Sequence, residues 1–281
     1  MRPNFGERDL DGELVFDRYL GDGVELDVLQ GALRALAPKW CSKLKLWRDT
    51  KDQRPINIDD PGALRAAVMA AAGERGSTYR TLVERHGQPP LERVTGSAEV
   101  RGAGPELVVV VSIDERVLAP VGPTWQLGNS IALQLRRPEV EGRVADHWMH
   151  EAFEALCIEL SPAWASAGNS AEYWAKVMSD PPRVEAVGRD FGRFLPGVFW
   201  LNFFGRRYRA LLGDDRLRTT PAARVAILDD GVLVELATDP LRWDTPEYAS
   251  DEQKVRDHLG PELFFSKAEP DRLTTVPDWD S

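Results

Sequence analysis

Two alternating apolar runs, Arg224–Leu228 and Val232–Ala237, are separated only by Asp229-Asp230-Gly231. A Gly-containing turn that short joins antiparallel neighbours, because a parallel connection needs a crossover of a dozen or more residues. The chain must therefore build antiparallel sheet. The pattern predicts Asp230-Gly231 in the turn, with Gly231 at a positive φ because it has no Cβ to clash. It also predicts that Val225, Ile227 and the apolar residues paired with them face the core.

The rest of the chain fills in around that hairpin. Leu14–Tyr19 reads as a first strand ended by Gly21-Asp22-Gly23. Val24–Leu36 carries apolar residues at 24, 26, 28, 29, 33 and 36, a helical stripe that Pro38 stops. Asp60 as a cap and Pro61 at the first helical position open a helix through Ala72. Glu99–Ile113 holds a Gly-Ala-Gly-Pro turn and then a β-branched run, and Asn129–Leu135 alternates with one face inward. Val144–Leu160 is a helix ended by Ser161-Pro162. Gly197–Phe204 is an apolar strand closed by Gly205, and Pro246–Leu259 is a last helix stopped by Gly260-Pro261. Hairpins join most strands and helices come in groups, so the expected class is α+β, with mixed or antiparallel sheets and packed helices. Leu36-Ala37-Pro38-Lys39-Trp40 is echoed by Leu160-Ser161-Pro162-Ala163-Trp164. The echo suggests two related α+β halves, with coincidence as the competing explanation. The division expected is 1–140, 141–266 with the acidic hairpin and helix, and a flexible tail over 267–281.

Charge is the strongest guide to partners. From Ala226 to Ser281 there are fourteen Asp and Glu against five Lys and Arg, a net of −9 out of −10 for the whole 281-residue chain. A nearly neutral body with an acidic end repels nucleic acid and anionic membrane and attracts basic proteins. No apolar run approaches the roughly 20 residues needed to span a bilayer, and the N-terminus lacks a signal-peptide apolar core. A cytoplasmic location is the expectation. Cys41 and Cys157 are too few for a disulfide framework or a zinc ribbon and read as buried thiols.

No motif announces a reaction. His147 and His150 share a helical face with Glu151 and Glu154 nearby, yet the zinc-protease spacing is absent. A polar helix edge is the simpler reading, and no metal or other cofactor is expected. Asp190-Phe191-Gly192 has the letters of a kinase triplet without the loops that would confirm it. The basic clusters Lys39–Arg54 and Arg206, Arg207, Arg209 read as solvated faces paired with nearby acids. Core packing accounts for most of the nine tryptophans. Trp125 and Trp243 lie in turn-rich loops, and Trp243, with acids around it, has the composition of an interface anchor.

An N-terminal strand, a helix ending near Pro38 and Trp40, Leu127-Gly128-Asn129-Ser130, and Phe199-Trp200-Leu201-Asn202-Phe203-Phe204-Gly205 occur together here. With the Asp-Gly hairpin and the acidic helix, this ensemble resembles the immunity proteins of bacterial polymorphic toxin systems, most nearly the immunity protein 52 family. The second half, 188–265, is also similar to type VI immunity proteins paired with virus-type replication-repair nucleases. The resemblance implies a cytoplasmic, non-enzymatic α+β protein that binds and neutralises a cognate secreted toxin, with no catalytic residues to carry over. A nuclease toxin must hold phosphate on a basic surface, which an acidic partner can cover. Charge alone then nominates Asp229, Asp230, Asp239, Trp243, Asp244, Glu247, Asp251 and Glu252 as the contact residues. The competing readings are an enzyme with a pocket around His147, His150 and Glu154, and an interaction module that meets no toxin.

Overall fold

The structure, a computed structural model, describes residues 10–16, 27–32, 34–35, 44–48, 55–56, 60, 79–85, 88–102, 106–114, 129–136, 143–177, 193–269 and 272–277. The strands are β1 (Leu10–Phe16), β2 (Leu44–Arg48), β3 (Pro55–Ile56), β4 (Tyr79–Arg85), β5 (Gln88–Gly102), β6 (Glu106–Asp114), β7 (Asn129–Arg136), β8 (Trp164–Asn169), β9 (Leu201–Gly205), β10 (Arg224–Leu228) and β11 (Gly231–Glu235). They form one eleven-stranded sheet in the order β10-β11-β9-β8-β1-β7-β6-β5-β2-β3, with β4 on β5. Every ladder in it is antiparallel. The helices are α1 (Arg143–Leu160), α2 (Ser170–Val177), α3 (Arg206–Leu212), α4 (Asp214–Arg218) and α5 (Pro246–Leu259), and residues 27–32 are also helical. This is an α+β fold.

The central strands are buried on both faces, so their side chains divide between two cores. Leu10, Leu14 and Phe16 of β1, Leu201 and Phe203 of β9 and Leu233 of β11 point to one side. There they meet Met149, Ala152, Phe153, Leu156, Cys157 and Leu160, the apolar stripe of α1. Val15, Phe204, Val232 and Val234, each one residue out of step, point to the other side and meet Tyr208, Tyr248, Val255 and Leu259 of α3 and α5. The two-residue period of a strand makes this division. Helices cover β9 and β11 on both faces, which is why those strands read as continuous apolar runs.

The helix ends follow their local chemistry. Ser161 ends α1 at φ 43, its N–H donating to Cys157 O at 3.0 Å, and Pro162 cannot continue the helix. Thr245 caps α5 by accepting from the Tyr248 N–H at 3.3 Å, with Pro246 in the first turn. Gly260, at φ 109, ends it.

The hairpin forms where the sequence places it, but its turn is shifted. Asp229 and Asp230 make the turn, and Gly231 pairs with Leu228 as the first residue of β11. Gly231 is not among the glycines with positive φ, which in the described residues are Gly213 and Gly260. Its lack of a Cβ serves a different end. A Cβ there would collide with the Phe203 ring and lie 2.6 Å from Phe204 O, so glycine lets β9 pack closely. Val225 packs on the core as expected, whereas Ile227 is 39% exposed because β10 is an edge strand.

Two other elements differ in extent. β1 begins at Leu10, before the Leu14 start the apolar pattern gave, because a tertiary contact accommodates Glu13 within it. Buried Glu13 accepts from Tyr173 Oη at 2.9 Å. Residues 197–200 precede β9 outside its ladders, although Trp200 O accepts from the Leu236 N–H at 2.8 Å. Arg224–Leu228, Asn129–Arg136, Arg143–Leu160 and Pro246–Leu259 match the sequence reading within a residue or two. The Asp60–Ala72 helix beyond Asp60, the Leu36–Trp40 copy of the echo and Trp125 lie outside the described residues. Near the C-terminus, Arg272 donates to the carbonyls of Pro261 and Phe264 at 2.6 and 2.9 Å.

Candidate functional site

The nominated acids occupy three separate places. Asp229 and Asp230 form the β10–β11 turn; Asp230 accepts from Ser161 Oγ at 2.7 Å and pairs with Arg206 at 2.5 Å. Asp239, Trp243, Asp244 and Glu247 lie between the far end of β11 and the first turn of α5. Asp239 caps the short Pro240–Arg242 helix through the Leu241 N–H at 2.9 Å. Trp243 is partly buried against the core, and Glu247 is exposed and 3.6 Å from Arg242. Further along α5, Asp251 pairs with Lys254 at 2.7 Å and Glu252 pairs inward with Lys176 at 2.9 Å. Among the described residues only the Asp229 and Asp244 side chains are exposed acids of this set without a side-chain partner.

A second constellation ties α1 to the hairpin. His150 Nε2 lies 3.0 Å from Arg224 Nη1 and 3.3 Å from Glu235 Oε2, while Nδ1 is 3.7 Å from Glu154. Arg224 also bonds both Glu154 oxygens, at 3.3 Å each. Arg224, Glu154, His150 and Glu235 thus make one contact group that joins α1 to both strands of the hairpin. His147 stands apart, 70% exposed and 3.3 Å from Glu151. The two histidines therefore serve different partners, and no group of three or more His, Cys, Asp or Glu among the described residues is placed to hold a metal ion. Nearer the start of α1, burial and then the neighbouring Asp239 push the Asp146 carboxyl up to about 6.

The third constellation is internal. Glu172 on α2 is buried at 1% exposure and accepts from Lys176 Nζ at 2.6 Å and Tyr248 Oη at 2.9 Å. Burial pushes its carboxyl above the usual range, against the pull of the Lys176 ammonium and of both hydrogen bonds. Lys176 also donates to Val198 O and lies 4.8 Å over the Phe199 ring. Glu252 extends the chain to Arg256 at 3.5 Å. The local sequence gives no warning of this, since Glu and Lys four apart on a helix ordinarily mark a solvated face.

The second basic cluster resolves into pairs. Arg206 holds Asp230, and Arg209 makes a two-pronged bond to Asp214 at 2.5 and 2.8 Å while also donating to the carbonyls of Leu228 and Asp229. These bonds hold Asp214 below its ordinary range. No helix among the described residues is long and apolar enough to cross a membrane.

No family model matches this chain, and no curated protein matches it in sequence. Among solved structures, the fold is similar to that of the Pseudomonas aeruginosa T6SS protein PA0821, with a TM-score of 0.55 and 16% sequence identity over 89% of this chain and 75% of that one. At that identity the likeness is one of fold.

Proposed function

We propose that this protein is an immunity protein, which binds a cognate secreted toxin of nuclease type and blocks it stoichiometrically without catalysis. The observation that carries the reading is the fold likeness to a type VI secretion system protein across 89% of the chain. Charge supports the choice of partner. The chain from Ala226 on carries a net −9, and Asp229, Asp244 and Glu247 present part of it to solvent. A nuclease holds phosphate with a basic surface, so an acidic protein is drawn to it and can occupy it. The internal network of Glu172, Lys176 and Tyr248 fits a structural role in this reading, because its groups bond one another.

Co-expression tests it. A toxin encoded beside this gene should kill cells alone and spare them when this chain is present, and the two purified proteins should form a complex of fixed stoichiometry. Survival without a complex, or a complex without protection, would defeat the reading. An enzyme acting at the His150 cluster is the competitor. His150→Ala would abolish protection by an enzyme and leave a blocking protein effective.

A further inference from the structure

The open edge of the sheet at β10 carries an inference about self-association that does not depend on the toxin reading. The Leu236 N–H bonds Trp200 O, on the β9 side of β11. Antiparallel alternation then turns Val232 and Val234 toward β9, and Gly231, Leu233 and Glu235 toward β10. Their partners Leu228, Ala226 and Arg224 bond inward. Val225 and Ile227 are left with N–H and C=O groups directed off the edge, and no described residue bonds them.

That edge lacks the usual protection. The opposite end of the sheet closes with β3, two residues long and containing Pro55. β10 has no proline, lysine or bulge, and its sequence after Arg224 is Val-Ala-Ile-Leu. Apolar surface flanks it on both faces. Ile227 is 39% exposed on one face and Ile158 of α1 is 55% exposed on the other. Ile158 lies on the helix face of Glu154 and Ser161, which reach Arg224 and Asp230 at the two ends of β10.

We infer that β10 pairs with β10 of a second copy of this chain, antiparallel about a two-fold axis at Ala226. The register is dictated by the groups on the edge. It sets Val225 opposite the partner's Ile227, and a pair of that kind exchanges both of its N–H···O bonds. Val225 and Ile227 of each copy then form one apolar row, and the small Ala226 side chains meet on the axis. The charges agree as well. Arg224, bonded to Glu154 but still 42% exposed, comes diagonally beside the exposed Asp229 at the end of the other strand, so the edge complements itself.

Sedimentation of the full chain at rising concentration tests this, read as a monomer–dimer equilibrium up to about 100 µM, the range for a small interface. Ile227→Pro removes one outward N–H without touching the β11 ladder, and Ile227→Lys places a charge on the edge. Both should sediment as monomers while keeping the wild-type circular dichroism, and Ile227→Lys answers the question if the proline variant misfolds. Ala226→Cys should form a disulfide-linked dimer under mild oxidation. Ala223→Cys should not, its two copies being about 20 Å apart in this register. A chain that stays monomeric at about 100 µM overturns the inference. So does a dimer that survives Ile227→Lys, or a cross-link at position 223 in place of 226.

Discussion

Gly231 is glycine because of its neighbours, and that gives a prediction at the scale of one residue. A methyl group there must displace the Phe203 ring and approach Phe204 O, which is backbone and cannot swing away. Gly231→Ala should cost about 1–3 kcal/mol, the range for overpacking a filled site, measured by urea unfolding. A positive-φ glycine in a turn tip would show the same loss without any change in the Phe203 environment, so the aromatic near-ultraviolet signal separates the two causes. Asp146 gives a second prediction. Its carboxyl is raised from 3.8 to about 6 by burial and by Asp239. Below 3.8 both folded and unfolded chains hold the proton. Between the two values the unfolded chain releases it first, so this group's contribution to stability falls as pH rises, and the loss is complete above 6. Asp146→Asn should therefore stabilise the protein at pH 7 and not at pH 3.5. The gain should be below about 1 kcal/mol, because the site is partly solvated.

Among the elements, α2 and α5 are joined by Lys176 on Glu252 and by Tyr248 on Glu172. Lys176 neutralises Glu172 inside the fold and reaches Glu252 across the interface. Lys176→Met would strand the buried Glu172 carboxylate and should cost about 3–5 kcal/mol, the measured range for removing one partner of a buried pair. Glu172→Gln together with Lys176→Met should recover much of that loss, since neither charge is then left behind. Equal destabilisation of the single and double variants in urea melts would show that packing, and not charge, holds the interface. α1 is attached to the hairpin by the more exposed His150, Glu154, Glu235 and Arg224 group, and exposed pairs of that kind contribute little each.

Across the whole molecule, the acidic end is a distributed charge and not one patch. Reversing Asp229, Asp244 and Glu247 to Lys changes the long-range field and leaves the internal networks of Glu252 and Asp230 alone. Stability should move by about 0.5 kcal/mol per site or less. The association rate with a basic toxin should fall and its salt dependence should flatten, as read by stopped flow at two ionic strengths. An unchanged rate with full protection of cells would place the contact surface elsewhere.

Local chemistry was enough to determine the elements with their own punctuation. Pro162 after α1, Pro246 at the start of α5, Gly260 after it, and two alternating runs around Asp229-Asp230 are signals a few residues long, and the structure honours each. The antiparallel pairing followed from the same hairpin, because a short turn leaves no room for a crossover, and the α+β class from such hairpins together with helices that come in groups. What the sequence could not settle was which polar residues go inside. Glu13, Glu172 and Asn202 are buried because Tyr173, Lys176 with Tyr248, and the Phe199 backbone come to meet them, and each partner belongs to another element or another turn of chain. The acids nominated from charge were scattered for the same reason. A charge count adds residues along the chain, whereas the fold spends Asp230 on Arg206 and Glu252 on Lys176, and leaves Asp229 and Asp244 in water. Whether a carboxylate meets a partner inside or outside the molecule depends on distances between residues far apart in sequence, and only tertiary packing sets those distances.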